Sequence, residues 1–124
     1  MADEPKKIVV IDDNPDVGSF CKDLLESEGY AVRTFVKTDD GLASIQEDKP
    51  DLVILDVMVE EVDSGFQTAR KLAEDDGELP LIMLSGISDA SQGVFDTHSL
   101  PVKGMLDKPI DPARLLATVQ RVIG

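Results

Sequence analysis

An α/β fold built on a doubly wound parallel sheet, with helices on both faces, is the architecture this sequence predicts, and two patterns predict it. Short apolar runs recur at Lys7 to Ile11, Ala31 to Val36, Leu52 to Leu55, Leu79 to Leu84 and Gly104 to Leu106. These runs are continuous rather than alternating, as strands covered on both faces require, and the segments between them can hold crossover helices. Right-handed crossovers then put five strands in the flavodoxin-like order 2-1-3-4-5.

The first run, KIVVI, reads as an interior strand. A helix follows, with Asn14 as cap, Pro15 in its first turn, Val17, Phe20, Cys21, Leu24 and Leu25 on one face, and Gly29 as its stop. Arg33 and Thr34 interrupt the second run, which suits a sheet edge. The second helix is expected from Thr38 to Asp48, with Leu42 and Ile45 inward and Pro50 beyond it. After the central strand, a third helix follows Gly65 with Phe66, Ala69 and Leu72 in register. Between Ser85 and Lys108, glycines, a proline and few strong helix formers predict a short or irregular fourth helix, and mobility from Ser88 to Gly104. Asp111 and Pro112 open the last helix, which buries Leu115, Leu116, Val119 and Ile123.

The 124 residues suit one domain, read as residues 1–124, with any output supplied by a partner protein. A formal net charge of -13 argues against direct binding of nucleic acid or of an anionic membrane. The single cysteine, Cys21, excludes an internal disulfide and reads as a small core residue. No apolar run is long enough for a membrane span, and a cytoplasmic location is expected. His98, the only histidine, reads as a loop residue, and Met58, Met83 and Met105 as core or loop packing.

Function enters where the apolar runs end. Asp12 and Asp13 follow the first run, Asp56 the third, Ser85 the fourth and Lys108 the fifth. Strand ends of a parallel sheet share one edge, and the predicted order makes the first and third strands neighbours, so three carboxylates, a hydroxyl and an ammonium converge. Three close carboxylates repel one another unless a cation shares their site. Magnesium fits, because it takes hard oxygen ligands and is commonly held by carboxylates together with phosphate oxygens. With charge shielded in this way, Asp56 can attack phosphorus, Lys108 can pair with a phosphoryl oxygen, and Ser85 can donate a hydrogen bond to another.

Across essentially its whole length the chain resembles bacterial response-regulator receiver domains, through VVIDDNP, DLVILDVM, LIMLSG and LDKP. The resemblance implies that Asp56 accepts a phosphoryl group from a sensor histidine kinase or a histidine phosphotransfer protein, and that an output protein reads the result. It implies Mg2+ bound by Asp13, Asp56 and the backbone carbonyl of Met58, with Asp12 acting through water. It also implies a phosphoryl group held by Ser85 and Lys108, a cis Lys108–Pro109 bond, and catalysis confined to the domain's own phosphorylation and dephosphorylation. The chain departs from the family pattern in three places. Met105 stands where Tyr or Phe is usual, Glu60 where proline is usual, and the loop around Asp63-Ser64-Gly65 is one residue longer.

Three other readings are weaker. Phosphatases of the haloacid-dehalogenase type carry DxDxT where this chain has IDDNP. A flavodoxin-like electron carrier needs Ser, Thr and Gly around its flavin phosphate, which acids would repel. A phosphorylation-independent interaction module would have no use for the intact acids, hydroxyl and lysine.

Overall fold

The computed structural model describes residues 5–56, 71, 72, 74, 78–85 and 102–124. Strands β1 (Lys7–Ile11), β2 (Ala31–Phe35), β3 (Leu52–Asp56), β4 (Leu81–Ser85) and β5 (Val102–Asp107) form one parallel sheet in the order β2-β1-β3-β4-β5, as the sequence predicts. Helices α1 (Pro15–Ser27), α2 (Thr38–Glu47) and α3 (Pro112–Ile123) pack around it. Lys71, Leu72 and Glu74 are helical and Leu72 is buried, in keeping with a helix after β3. Gly65, Phe66 and Ala69 lie outside the described residues, as do Met58, His98 and the expected irregular fourth helix.

Two strands begin at other places than their apolar runs. Pro80 has no N–H for a ladder, so β4 opens at Leu81 although Leu79 is buried. In the other direction, β5 extends back to Val102, because Leu81 pairs with Val102 and Ile82 with Gly104 across a register shift that skips Lys103. Val102, Lys103 and Gly104 are therefore strand residues, and the rest of the segment expected to be mobile, 88–101, lies outside the described residues.

The strands β1, β3 and β4 are almost wholly buried, and side chains alternate between two cores. Val9, Ile11, Val53, Leu55, Leu81 and Met83 meet Leu42 and Ile45 of α2 on one face. Ile8, Val10, Leu52, Ile54, Ile82, Leu84 and Leu106 meet Cys21 and Leu25 of α1 and Leu115 and Val119 of α3 on the other. The edge strand β2 keeps Arg33 by turning its guanidinium onto the end of α2, where it donates to the Asp48 carbonyl at 2.7 Å and to the Ser44 hydroxyl.

Helix α1 begins as the sequence predicts, with the Asn14 side chain accepting from the Asp16 amide at 3.0 Å and Pro15 in its first turn. It ends at Gly29, whose φ of 95° is the left-handed conformation that favours glycine. Its apolar face is the expected one except at Phe20. Cys21 and Leu25 are buried, Val17 and Leu24 pack against the same core, and Gly18 also faces inward, but Phe20 is 37% exposed. At about 100° per residue, seating Gly18 against Thr34 of β2 turns Phe20 away from the sheet. Met105, expected to pack, is 41% exposed on the opposite edge strand, whereas Met83 is fully buried. Among the described residues, no helix is long and apolar enough to cross a membrane.

Burial pushes the Cys21 thiol up to about 12, and the charge of Asp12 adds to the effect. The thiol is neutral near pH 8 and reads as core, in agreement with the sequence. Cys21 should therefore react with a disulfide reagent at pH 8 at a rate set by unfolding, rising steeply in urea, and fast labelling of the native protein would contradict this. From the model-compound value of 9.0 up to about 12, the native state keeps a proton that the unfolded chain loses, so this thiol's contribution to stability should decline with pH across that window.

The rotation of α1 has its own test. Leu25→Ala should cost about 2–5 kcal/mol in urea unfolding, and Phe20→Ala only about 1 kcal/mol. Equal losses would show that Phe20 faces the core.

Candidate functional site

The convergence expected at the strand ends is present. Ile11 pairs with Leu55 in adjacent strands, so the next residues, Asp12 and Asp56, stand side by side at the same sheet edge. Carboxylate oxygens of Asp12, Asp13 and Asp56 all lie within 4.8 Å of one another. Asp12 and Asp56 are buried and Asp13 is exposed, so the cluster opens to solvent on the Asp13 side.

Lys108 reaches this cluster from the end of β5. Its ammonium lies 2.8 Å from Asp12 Oδ2 and 3.3 Å from Asp56 Oδ2. Burial alone would lower its pKa, but the close Asp12 carboxylate, with a smaller contribution from Asp56, holds it above the ordinary lysine value. The backbone fixes the approach, because the Lys108 amide donates to the Ser85 carbonyl at 2.8 Å. The Lys108–Pro109 bond is cis, as expected.

Asp12 is fixed at three points. Its amide donates to the Phe35 carbonyl at 3.0 Å, and its Oδ1 accepts from the Asn14 amide at 2.9 Å. Oδ2 is buried and faces the Lys108 ammonium, yet that contact lacks the alignment of a hydrogen bond. A buried carboxylate oxygen with spare acceptor capacity, beside two further hard oxygen donors, fits a small divalent cation.

Ser85 is buried at the end of β4, one residue past the pairing of Asp56 with Leu84. Its hydroxyl lies 3.5 Å from Asp107 Oδ1. Of the residues singled out in the sequence, Asp12, Asp13, Asp56 and Lys108 come together, Ser85 flanks them, and Met58 lies outside the described residues. Two neighbours were missed. Asn14 read only as a helix cap, although its amide also holds Asp12. Asp107 was passed over, although its place at the end of β5 signalled a neighbour for the end of β4.

Comparison with known proteins fits this geometry. A family model described as the response regulator receiver domain matches residues 8–120. The DNA-binding dual master transcriptional regulator RpaA of Synechocystis is 34% identical over 122 residues, which cover 94% of this chain and 48% of that protein. Protein PilH of Pseudomonas aeruginosa is 28% identical over 119 residues, covering 94% of this chain and 97% of that one. The chain spans only about a quarter to a half of the length of several curated relatives, RpaA among them. Among solved structures, the receiver domain of NtrX from Brucella abortus matches with a TM-score of 0.85 at 27% identity, covering 94% of this chain and 97% of that one. A CheY-like receiver domain protein from Methanospirillum hungatei matches with a TM-score of 0.83 at 25% identity, covering 94% and 92%. With the model matching most of its length and the fold agreeing strand for strand, this chain belongs to the response regulator receiver domain family of two-component systems, whose general function is phosphorylation at an aspartate.

Proposed function

We propose that residues 1–124 act as one phosphoacceptor domain and that Asp56 takes a phosphoryl group from the phosphohistidine of a sensor histidine kinase or a histidine phosphotransfer protein. The single observation supporting this choice is that Asp56, buried at the end of a central strand, has both the acid pair and the Lys108 ammonium within reach. An Asp56 oxygen attacks phosphorus, the phosphorus–nitrogen bond breaks, and the donor imidazole leaves while an acyl phosphate forms. Lys108 offsets charge on a phosphoryl oxygen, and the Ser85 hydroxyl donates to another. Asp12, Asp13, Asp56 and the carbonyl of Met58 are the residues that would hold Mg2+. When bound, the ion shields the negative charge of the carboxylates and of the phosphoryl group. The resulting change is read by an output protein, and a cytoplasmic location belongs to the same proposal. No turnover of free substrates beyond the domain's own phosphorylation and dephosphorylation is invoked.

A groove of about 670 Å3 lies between α1 and the turn after β5, with Val17 and Phe20 on one wall and Lys108 and Ile110 on the other. It adjoins the acid cluster through Lys108, so a helical donor carrying its histidine along this groove can present phosphorus to Asp56. Phe20, turned away from the core, gives that donor an apolar contact.

Intact-mass measurement with acetyl phosphate and Mg2+ should show one added phosphoryl group in the wild type and none in Asp56→Asn. Labelling of Asp56→Asn at the wild-type rate would place the acceptor elsewhere.

Phe20→Ala should leave labelling by acetyl phosphate unchanged and slow transfer from a phosphorylated histidine phosphotransfer domain about tenfold, the loss of one apolar contact of about 1.4 kcal/mol. Equal slowing with both donors would contradict docking in the groove.

A further inference from the structure

We propose that Asp107 is a positioning residue that holds the Ser85 hydroxyl away from the phosphorylation site and so sets the threshold for the phosphorylated state; the inference rests on Asp56 being the acceptor. Ser85 and Asp107 are partners in the β4–β5 register. Residues paired across parallel strands project to the same face, and successive residues alternate. Leu84 and Leu106 face the α1 and α3 core, so Ser85 and Asp107 project toward the other face. Asp56, paired with Leu84, projects to the α1 and α3 side, and the Lys108 ammonium reaches Asp56 there.

Ser85 therefore has two uses for one proton. Among the described residues its hydroxyl donates to Asp107 Oδ1, and it must swing toward the Asp56 side to meet a phosphoryl oxygen. At 3.5 Å the contact is much longer than the 2.5–2.7 Å or so of a strong hydroxyl–carboxylate bond. It is a weak hold that a phosphoryl oxygen can outcompete. Ser85 is buried, so its hydroxyl has little access to water as a substitute partner. Asp107 is exposed, and its charge stays hydrated whether or not the hydroxyl is engaged. The main-chain bond from the Lys108 amide to the Ser85 carbonyl, 2.8 Å, keeps the two strand ends in register while the hydroxyl changes partner.

The test is a double-mutant cycle read by beryllofluoride titration in Mg2+ and by the lifetime of the acyl phosphate. Asp107→Leu, which removes the acceptor, should raise apparent beryllofluoride affinity about two- to threefold, the low end of the worth of one released hydrogen bond. It should lengthen the acyl-phosphate lifetime in the same direction. Asp107→Asn keeps an acceptor and should shift affinity by less than Asp107→Leu. In a Ser85→Ala background the Asp107→Leu effect should vanish, a result that a general electrostatic or structural role would not give. The proposal is overturned if Asp107→Leu changes nothing in the wild-type background, if its effect survives intact in Ser85→Ala, or if Asp107→Asn matches it fully. Loss of labelling at Asp56 in every protein, the wild type included, would instead refute the phosphoacceptor reading.

Discussion

Positive charge at a crowded carboxylate cluster is the constraint on which the rest of this structure depends. Three aspartates bring oxygens within 4.8 Å of one another, two of them on buried side chains, where little water is present to screen their mutual repulsion. The ammonium of Lys108 lies against two of them and is itself held charged by their proximity. A buried pair of this kind adds little net stability, because desolvation offsets much of the attraction. On the proposed reading its value is functional: it holds the carboxylates close together at a place where a cation and a phosphoryl group would enter.

The fold supplies that convergence through register. Parallel pairing of β1 with β3 carries Asp12 and Asp56 to the same height, and the β4–β5 pairing carries Ser85 and the approach to Lys108 to the same edge. Apolar burial on both faces makes slippage costly, since a one-residue shift would turn each core side chain to the wrong layer. Helix α1 is tied to the site by Asn14, whose side chain caps Asp16 while its amide holds Asp12. Site geometry and helix initiation thus meet at one residue, through its main chain in the first case and its side chain in the second.

Much of this was legible in the sequence for physical reasons. Continuous apolar runs identify buried parallel strands, and a charged or hydroxylic residue within two places of a run's end has to sit at the sheet edge. That is why Asp12, Asp13, Asp56, Ser85 and Lys108 could be singled out before any coordinates. Helical periodicity marked the apolar side of α1 but not its exact facing, because the depth at which Gly18 meets Thr34 is a packing property of two elements. Phe20 was misjudged for that reason. Met105 was misjudged because β5 is an edge strand, where apolar character does not guarantee cover. The predicted adjacency of the last two strands placed Ser85 and Asp107 at one sheet edge, but only the register makes them direct partners, and Asp107 was passed over.

The most direct test of the charge constraint is the Mg2+ dependence of thermal unfolding in the wild type and in Lys108→Ala. If Mg2+ binds as proposed, the ammonium and the metal compete for the same carboxylates in the wild type, so stabilisation by Mg2+ is partly offset by displacement of Lys108. Removing the lysine ends that competition. Mg2+ should therefore raise the unfolding midpoint of both proteins, and that of Lys108→Ala by more. A midpoint unmoved by Mg2+, or a smaller gain in Lys108→Ala than in the wild type, would contradict a cluster organised around shared positive charge.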